Sequence, residues 1–199
     1  MKTLSRLALA ATLAVSLVAP AGAQDKKKAA DEKAAMEAWQ KAMTPGEGQK
    51  KLEPLVGSFD VKVQTWMDPS KPPDESTGTS VNTWVLGDRF VQMKYDGVFL
   101  GAPFNGIGYT GFDNVSKKYV STWMDTASTS VLNMSGSYDK AGKVLTMTGK
   151  TDDFTTGKTT TVRSTTTMPS NDEMRWEMFA PGPDGKEVKM MEIVYTRKK

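Results

Sequence analysis

The sequence of 199 residues contains no cysteine and no histidine. A chain without cysteine forms no disulfide, so packing alone must stabilise its fold. The two absences together exclude Ser-His-Asp and Cys-His nucleophile pairs, ordinary zinc sites and histidine-ligated haem. We therefore assign no catalytic residue, no metal ligand and no cofactor, and any acid–base chemistry is left to carboxylates, tyrosine, lysine or arginine.

Clustered positive charge is also missing. The formal net charge of +3 includes Lys2 and Arg6, and the other basic residues are interspersed with aspartates and glutamates. Because nucleic-acid binding needs clustered cations that face the phosphates, we expect no nucleic-acid partner. The main apolar run, Leu7 to Val18, is well short of the about 20 residues of a membrane-spanning helix, so we expect no membrane span.

Residues 1–23 have the three parts of a secretory signal peptide. Lys2 and Arg6 supply the charged start, Leu7 to Val18 the apolar segment, and Ala21-Gly22-Ala23 the small-residue cleavage site. We predict cleavage before Gln24 and export to the periplasm or to the extracellular space. The sequence carries no signal of oligomeric state.

Residues 24–50 are predicted to form a polar leader and an amphipathic helix. The leader, Gln24 to Lys28, is lysine-rich and predicted to be disordered, and Asp31 is a candidate N-cap. The apolar residues that follow recur at helical spacing: Ala35, Met36, Trp39, Ala42 and Met43. We expect this face to pack on the rest of the protein; a mobile lid over a ligand entrance is the alternative.

The pattern of residues 51–199 predicts one domain of short strands separated by turns. In the first strand Phe59, Val61, Val63 and Met67 share one face, with polar residues between them. Turn residues such as Gly87-Asp88 separate the later runs. About ten strands at this spacing predict an all-β fold, an antiparallel closed barrel. Its glycines at positions 101, 106, 108 and 111 are predicted to permit strand bending.

Several motifs carry a family resemblance. Gly57-Ser58-Phe59 is similar to the Gly-x-Trp that opens the first strand of calycin barrels such as lipocalins, and Arg197 takes the place of the last-strand arginine that packs on that ring. A wider set resembles the bacterial family called domain of unknown function 1579: Thr44-Pro45-Gly46-Glu47, Leu55-Val56-Gly57, Trp84 to Phe90, Gly108 to Asn114, Lys118-Tyr119-Val120 and Gly182 to Glu187.

The second resemblance covers nearly all of the chain after residue 43 and implies a calycin-like barrel with no established activity. Members of that family often carry a histidine near the position of Gln49, so no metal role transfers to this chain. The 13 methionines would suit copper(I). We favour the ordinary interpretation, in which methionine fills irregular apolar space.

A barrel of this size holds either packed side chains or one small ligand. We favour the binding of a small hydrophobic or amphipathic molecule, with Trp84 near the mouth. If the odd-numbered face of the first strand points inward, the candidate ligand-binding residues are Trp84, Val91, Met93, Tyr95, Tyr109, Trp123 and Arg175.

Two other classes of function are left open by the sequence. The first is a histidine-free lyase or isomerase that uses Arg175, Glu177 or Glu192 beside a tyrosine. The second is an envelope interaction module, which would show an exposed apolar patch or a dimer seam instead of a pocket.

Overall fold

The structure, a computed structural model, describes residues 21–153, 156–182 and 184–199. The chain divides into two units, Met1–Lys41 and Ala42–Lys199. Most of the predicted signal peptide, residues 1–20, lies outside the described residues, so export stays a prediction. In the described part of the chain, no helix is both long enough and apolar enough to cross a membrane.

Helix α1 (Ala21–Met43) begins before Asp31, so Asp31 is not its N-cap. The residues predicted to form a disordered leader belong to the helix instead, and their lysines and glutamine are strong helix formers. Met36 and Trp39 are about half exposed, at 51% and 58%. The packing of this apolar face on the rest of the protein stays a prediction.

The second unit begins with helix α2 (Glu47–Lys50) and a 3-10 helix (Glu53–Leu55), and continues as strands. The strands are β1 (Gly57–Thr65), β2 (Asp74–Val85), β3 (Phe90–Phe99), β4 (Ala102–Asp113), β5 (Lys118–Asp125), β6 (Leu132–Tyr138), β7 (Val144–Asp152), β8 (Thr159–Thr167), β9 (Glu173–Pro181) and β10 (Glu187–Arg197). Each strand pairs antiparallel with its neighbour along the chain.

The sheet closes because β1 pairs with β10 as well as with β2. Val61 lies opposite Gly78 on one side and opposite Tyr195 on the other. In the described residues this gives a closed barrel of ten strands in sequence order. Closure therefore gives each strand of the barrel a paired neighbour on both sides. The predicted all-β barrel is therefore confirmed.

Alternation on β1 places Phe59, Val61 and Val63 inside the barrel, where they are buried. The prediction for Met67 is wrong: it is 65% exposed, since β1 ends at Thr65. The chain turns just after Met67, where the Ser70 amide donates to Asp68 Oδ1 at 3.0 Å.

Residues 46–56 cover one end of the barrel, which we call the closed end. Leu52 and Leu55 are buried there. Inside this end, Asn82 Nδ2 donates to the Leu55 carbonyl at 2.8 Å. The buried amide of Gln49 donates to the Phe112 carbonyl at 2.8 Å and accepts from the Gly46 amide. Gln49 therefore has a structural role that fixes this segment to β4.

Arg197 seals the closed end. Its guanidinium lies 4.8 Å from the centre of the Phe59 ring and donates to the carbonyls of Val56, Pro54 and Asn171. Gly57 is required beside it, because its φ is +139° and a Cβ would clash with Arg197 Nη1. The arginine–aromatic contact implied by the calycin resemblance is confirmed.

Replacement of Arg197 by alanine removes three main-chain hydrogen bonds and the cation over Phe59. We expect the free energy of unfolding to fall by about 2 kcal/mol, since the hydrogen bonds together and the cation–ring contact each contribute roughly 1 kcal/mol. Urea unfolding followed by tryptophan fluorescence measures the change.

Lys198→Ala is the matched control for this experiment. It removes only the exposed ion pair of Lys198 with Asp60, at 3.1 Å, and we expect a loss below about 0.5 kcal/mol. Equal losses in the two variants would contradict the sealing role of Arg197.

Candidate functional site

The opposite end of the barrel, where β1 finishes, is called here the open end. It is formed by the last residues of the odd-numbered strands and the loops that follow them, whereas residues 46–56 cover the closed end. Near the open end, large apolar side chains of the inner face are only partly buried: Phe104, Trp123, Leu132, Met178 and Met191. At mid-barrel, Met93, Trp176 and Ile193 are also partly buried. The inner face therefore offers apolar surface that water reaches.

A pocket of about 430 Å³ lies at the open end, between the start of β2 and the turn from β3 to β4. Its volume falls within the range of about 300–1,000 Å³ that is usual for small-molecule sites. Thr65, Asp74, Glu75, Ser76, Thr77, Val98, Phe99, Leu100 and Gly101 line it.

The turn from β3 to β4 shapes one wall of this pocket. Leu100 and Gly101 both have positive φ, at 49° and 80°, as the two central residues of a tight hairpin turn require. Glycine adopts this conformation without strain, whereas leucine rarely does. The turn leaves Leu100 60% exposed beside the pocket.

Tyr95 lies on the inner face, and its hydroxyl points toward the open end. The hydroxyl lies against Gly78 and Gly97, where an added Cβ would clash with it. Ser76 and Phe99, two residues farther along the same strands, line the pocket. The Tyr95 side chain thus lies directly below the pocket, and its ring contacts Phe104 with centroids 5.8 Å apart.

The Tyr95 hydroxyl is buried and has no hydrogen-bond partner among the described residues. The residue is 6% exposed. Burial raises the pKa of Tyr95 above its ordinary value, so the hydroxyl is neutral near neutral pH. A buried polar group without a partner is rare in folded proteins and suggests a role in binding.

The other inner tyrosines have packing roles. Tyr195 packs edge-on against Phe59, and its hydroxyl donates to Met93 Sδ at 3.9 Å. Burial and the neighbouring Tyr138 raise the pKa of Tyr119 to about 12, and burial raises the pKa of Tyr195 as well. These phenols stay protonated at neutral pH, which makes them poor general bases.

Trp123 lies flat against β4. A Cβ on Gly106 or Gly108 would clash with the indole ring, and the indole nitrogen donates to Asp125 Oδ2 at 2.8 Å. The glycines that the sequence assigns to strand bending therefore make room for this side chain on the inner face.

Four of the predicted ligand-binding residues, Val91, Met93, Tyr95 and Trp123, share the inner face. Trp84 lies at the closed end, where its indole nitrogen donates to Glu53 Oε2 at 2.8 Å, so it is not near the mouth. Trp84 also takes an inner-face position, opposite Val91 near the closed end, whereas Tyr95 and Trp123 lie toward the open end.

Tyr109 lies on the outer face of β4, because the inner positions of this strand are even-numbered. Its hydroxyl accepts a hydrogen bond from Gln92 Nε2 at 2.7 Å. Tyr109, a candidate ligand-binding residue, therefore cannot line the interior from this face, since its chain neighbours Gly108 and Thr110 take the inner positions.

Arg175 also lies on the outer wall, opposite Val194. It forms ion pairs with Glu192 at 3.1 Å and Glu173 at 3.4 Å, and Lys189 joins Glu177 at 3.1 Å and also Glu192. The candidate residues of the lyase hypothesis therefore form a charge network outside the barrel. Arg175 cannot line the interior from this face.

The polar wall of the pocket is not among the residues predicted from the sequence. Asp74 and Glu75 pair with Thr65 and Gln64 at the start of β2. The sequence does contain a signal for the start of this strand. Proline lacks the amide donor that strand pairing needs, so a strand can begin directly after Pro72-Pro73. Among the described residues, no group of three or more carboxylates could hold a metal ion.

Comparisons with known proteins agree with this architecture. A family model described as "Protein of unknown function (DUF1579)" matches residues 44–197. The crystal structure of Rv2717c from M. tuberculosis aligns with 78% of this chain and 100% of its own, at 17% sequence identity and a TM-score of 0.57. That similarity supports the fold alone. The comparison with curated proteins finds no match.

Two other solved structures also align with the barrel. A redesigned beta barrel, b11L5F_LGL, covers 78% of this chain and 100% of its own, at 13% identity and a TM-score of 0.40. The structure of EF1p2_mFAP2b bound to DFHBI covers 76% of this chain and 100% of its own, at 10% identity and a TM-score of 0.43.

Replacement of Tyr95 by phenylalanine removes the buried hydroxyl that has no partner. We expect the ligand-free protein to become more stable by about 1 kcal/mol, because the desolvation cost of that hydroxyl disappears. Thermal and urea unfolding measure the gain. Tyr195→Phe is the control, since it removes a hydroxyl that contacts Met93 Sδ and should give no gain. A loss of stability in Tyr95→Phe would contradict this account.

Proposed function

The chain belongs to the DUF1579 family of proteins of unknown function, and we propose that its barrel binds one small hydrophobic or amphipathic molecule through the open end. The observation that carries the proposal is the contrast between the two ends. Residues 46–56 and Arg197 seal the closed end, whereas a pocket of about 430 Å³ and partly buried apolar side chains lie at the other.

The chemistry of the inner face suits a ligand with an apolar body. Met178 and Met191 lie opposite each other on β9 and β10, and both are partly buried. Methionine side chains adapt to irregular shapes, and each apolar Å² removed from water contributes about 25 cal/mol. A ligand that covers these side chains and Trp123 would gain affinity mainly from apolar burial.

We also propose that the protein acts after export, in the periplasm or outside the cell. The support is the pattern of residues 1–23, with its charged start, apolar segment and small-residue cleavage site. Cell fractionation with an antibody against the chain tests this. Full-length protein that stays in the cytoplasm would contradict the proposal.

A second candidate function is contact between the open end and another surface. Exposed apolar side chains lie in its loops and on the last turn-side residues of β3: Met67, Val98, Leu100 and Val131. A contiguous exposed apolar patch is typical of surfaces that meet a partner. Sedimentation velocity at high concentration tests self-association, and a monomer would remove that form of the interaction.

The binding proposal predicts that N-phenyl-1-naphthylamine, a neutral apolar dye, becomes fluorescent when it is mixed with the protein. We expect Met178→Asp to raise the dissociation constant by about tenfold or more, because the new carboxylate must lose water when the dye enters. Fluorescence titration measures both constants.

Val81→Asp is the matched control, because Val81 is on the outer face of β2 and is 48% exposed. It should leave the dissociation constant unchanged. Native mass spectrometry of the wild-type protein from its own source complements the titration. Absence of any retained small molecule, together with no dye binding, would overturn the proposed function.

A further inference from the structure

The pocket at the open end is acidic as well as apolar. Its lining includes Asp74 and Glu75, and no lysine or arginine. Gln64 Nε2 donates to Glu75 Oε1 at 2.9 Å, whereas Asp74 forms no ion pair among the described residues. An anionic head group would be repelled from this pocket, and a cationic one attracted.

The surroundings of the pocket add to this negative potential. Asp125 lies on the inner face toward the open end of β5, where it accepts a hydrogen bond from the indole nitrogen of Trp123, and Asp96 lies on the outer face of β3, where it accepts one from Asn105. Lysines of nearby loops are already paired, Lys71 with Asp68 at 3.2 Å and Lys186 with Asp184 at 3.6 Å. Lys62 lies opposite Thr77, on the outer face of β1, so the carboxylate that no basic residue of the lining neutralises is the inward one, Asp74.

The Tyr95 hydroxyl supplies a second, independent observation. It is buried and has no hydrogen-bond partner among the described residues, and it lies against Gly78 and Gly97, each two strand positions from a residue of the lining, Ser76 or Phe99. A neutral phenol oxygen can accept a hydrogen bond from an N–H group. The carboxylate of Asp74 and the hydroxyls of Thr65 and Ser76 can accept such bonds as well.

Aromatic rings complete the pocket. Phe99 lines it and packs against Phe104, with ring centroids 5.6 Å apart. Rings of this kind attract an ammonium group placed over the face. Carboxylate, hydroxyl acceptors and an aromatic wall together match a protonated amine better than they match a carboxylate or a phosphate.

We propose that the ligand is a cationic amphiphile: its protonated amino group binds in the pocket beside Asp74 and above the Tyr95 hydroxyl, and its apolar chain extends into the barrel. This inference rests on the proposed function, because it assigns the ligand class of the same site. It adds a polar recognition element to a barrel that otherwise offers apolar surface.

The test compares three probes with the same chain of carbon atoms: decylamine, decanol and decanoate. Each probe is titrated in competition with N-phenyl-1-naphthylamine at neutral pH, where decylamine is cationic and decanoate is anionic. We expect decylamine to bind about tenfold more tightly than decanol, and decanoate to bind most weakly, since a charge-assisted hydrogen bond strengthens binding by about that factor. Added salt should weaken only the binding of decylamine appreciably.

Two variants locate the recognition. Asp74→Asn should raise the dissociation constant of decylamine by about tenfold and leave that of decanol unchanged. Tyr95→Phe should weaken decylamine binding several-fold, while thermal unfolding shows that the variant is folded. Asp184→Asn is the matched control, because Asp184 is an acidic residue of another loop at the open end and does not line the pocket.

The possible results distinguish a failure of the cationic ligand class from a failure of the proposed binding function. If decanol or decanoate binds as tightly as decylamine, or if Asp74→Asn behaves like Asp184→Asn, the cationic ligand class is overturned and the apolar binding function stands. If none of the probes binds and the dye itself does not bind, the proposed function fails.

Discussion

The pairing of β1 with β10 is the constraint on which the rest of the structure depends. It joins the first and last strands of the described barrel along seven residues of each, from Phe59 opposite Arg197 to Thr65 opposite Met191. This register brings Arg197 over Phe59 and beside the carbonyls of residues 54 and 56. Together with the registers of the other strand pairs, this pairing determines which residues line the interior.

The barrel has two chemically different ends. Buried polar groups at the closed end find partners, as in the chain of hydrogen bonds from Ser80 through Asn82 to Leu55. Near the open end the Tyr95 hydroxyl finds none. A satisfied network stabilises a fold, whereas an unsatisfied donor and acceptor beside a pocket favours a function in recognition. The residues that seal the barrel thus lie at one end of its axis, and the residues proposed to bind a ligand lie toward the other.

Strand number, closure and the inner face of β1 could be predicted from the sequence, because Phe59, Val61 and Val63 alternate with charged or polar residues. Tyr109 could not, since its position depends on Trp123 of the next strand, which fills the inner space over Gly106 and Gly108. The pocket could not be predicted from the sequence either. Both faces of β2 are small or polar near Asp74 and Ser76, so hydrophobic alternation gives no direction there.

Trp123 gives the barrel an optical property of its own. The indole is held against β4 by two glycines and by Asp125, and it is partly exposed on the inner face near the open end. A molecule that displaces water from this ring would change the polarity around a chromophore whose orientation is fixed. The emission spectrum of the unlabelled protein can therefore register the arrival of an occupant, without a dye or an attached probe.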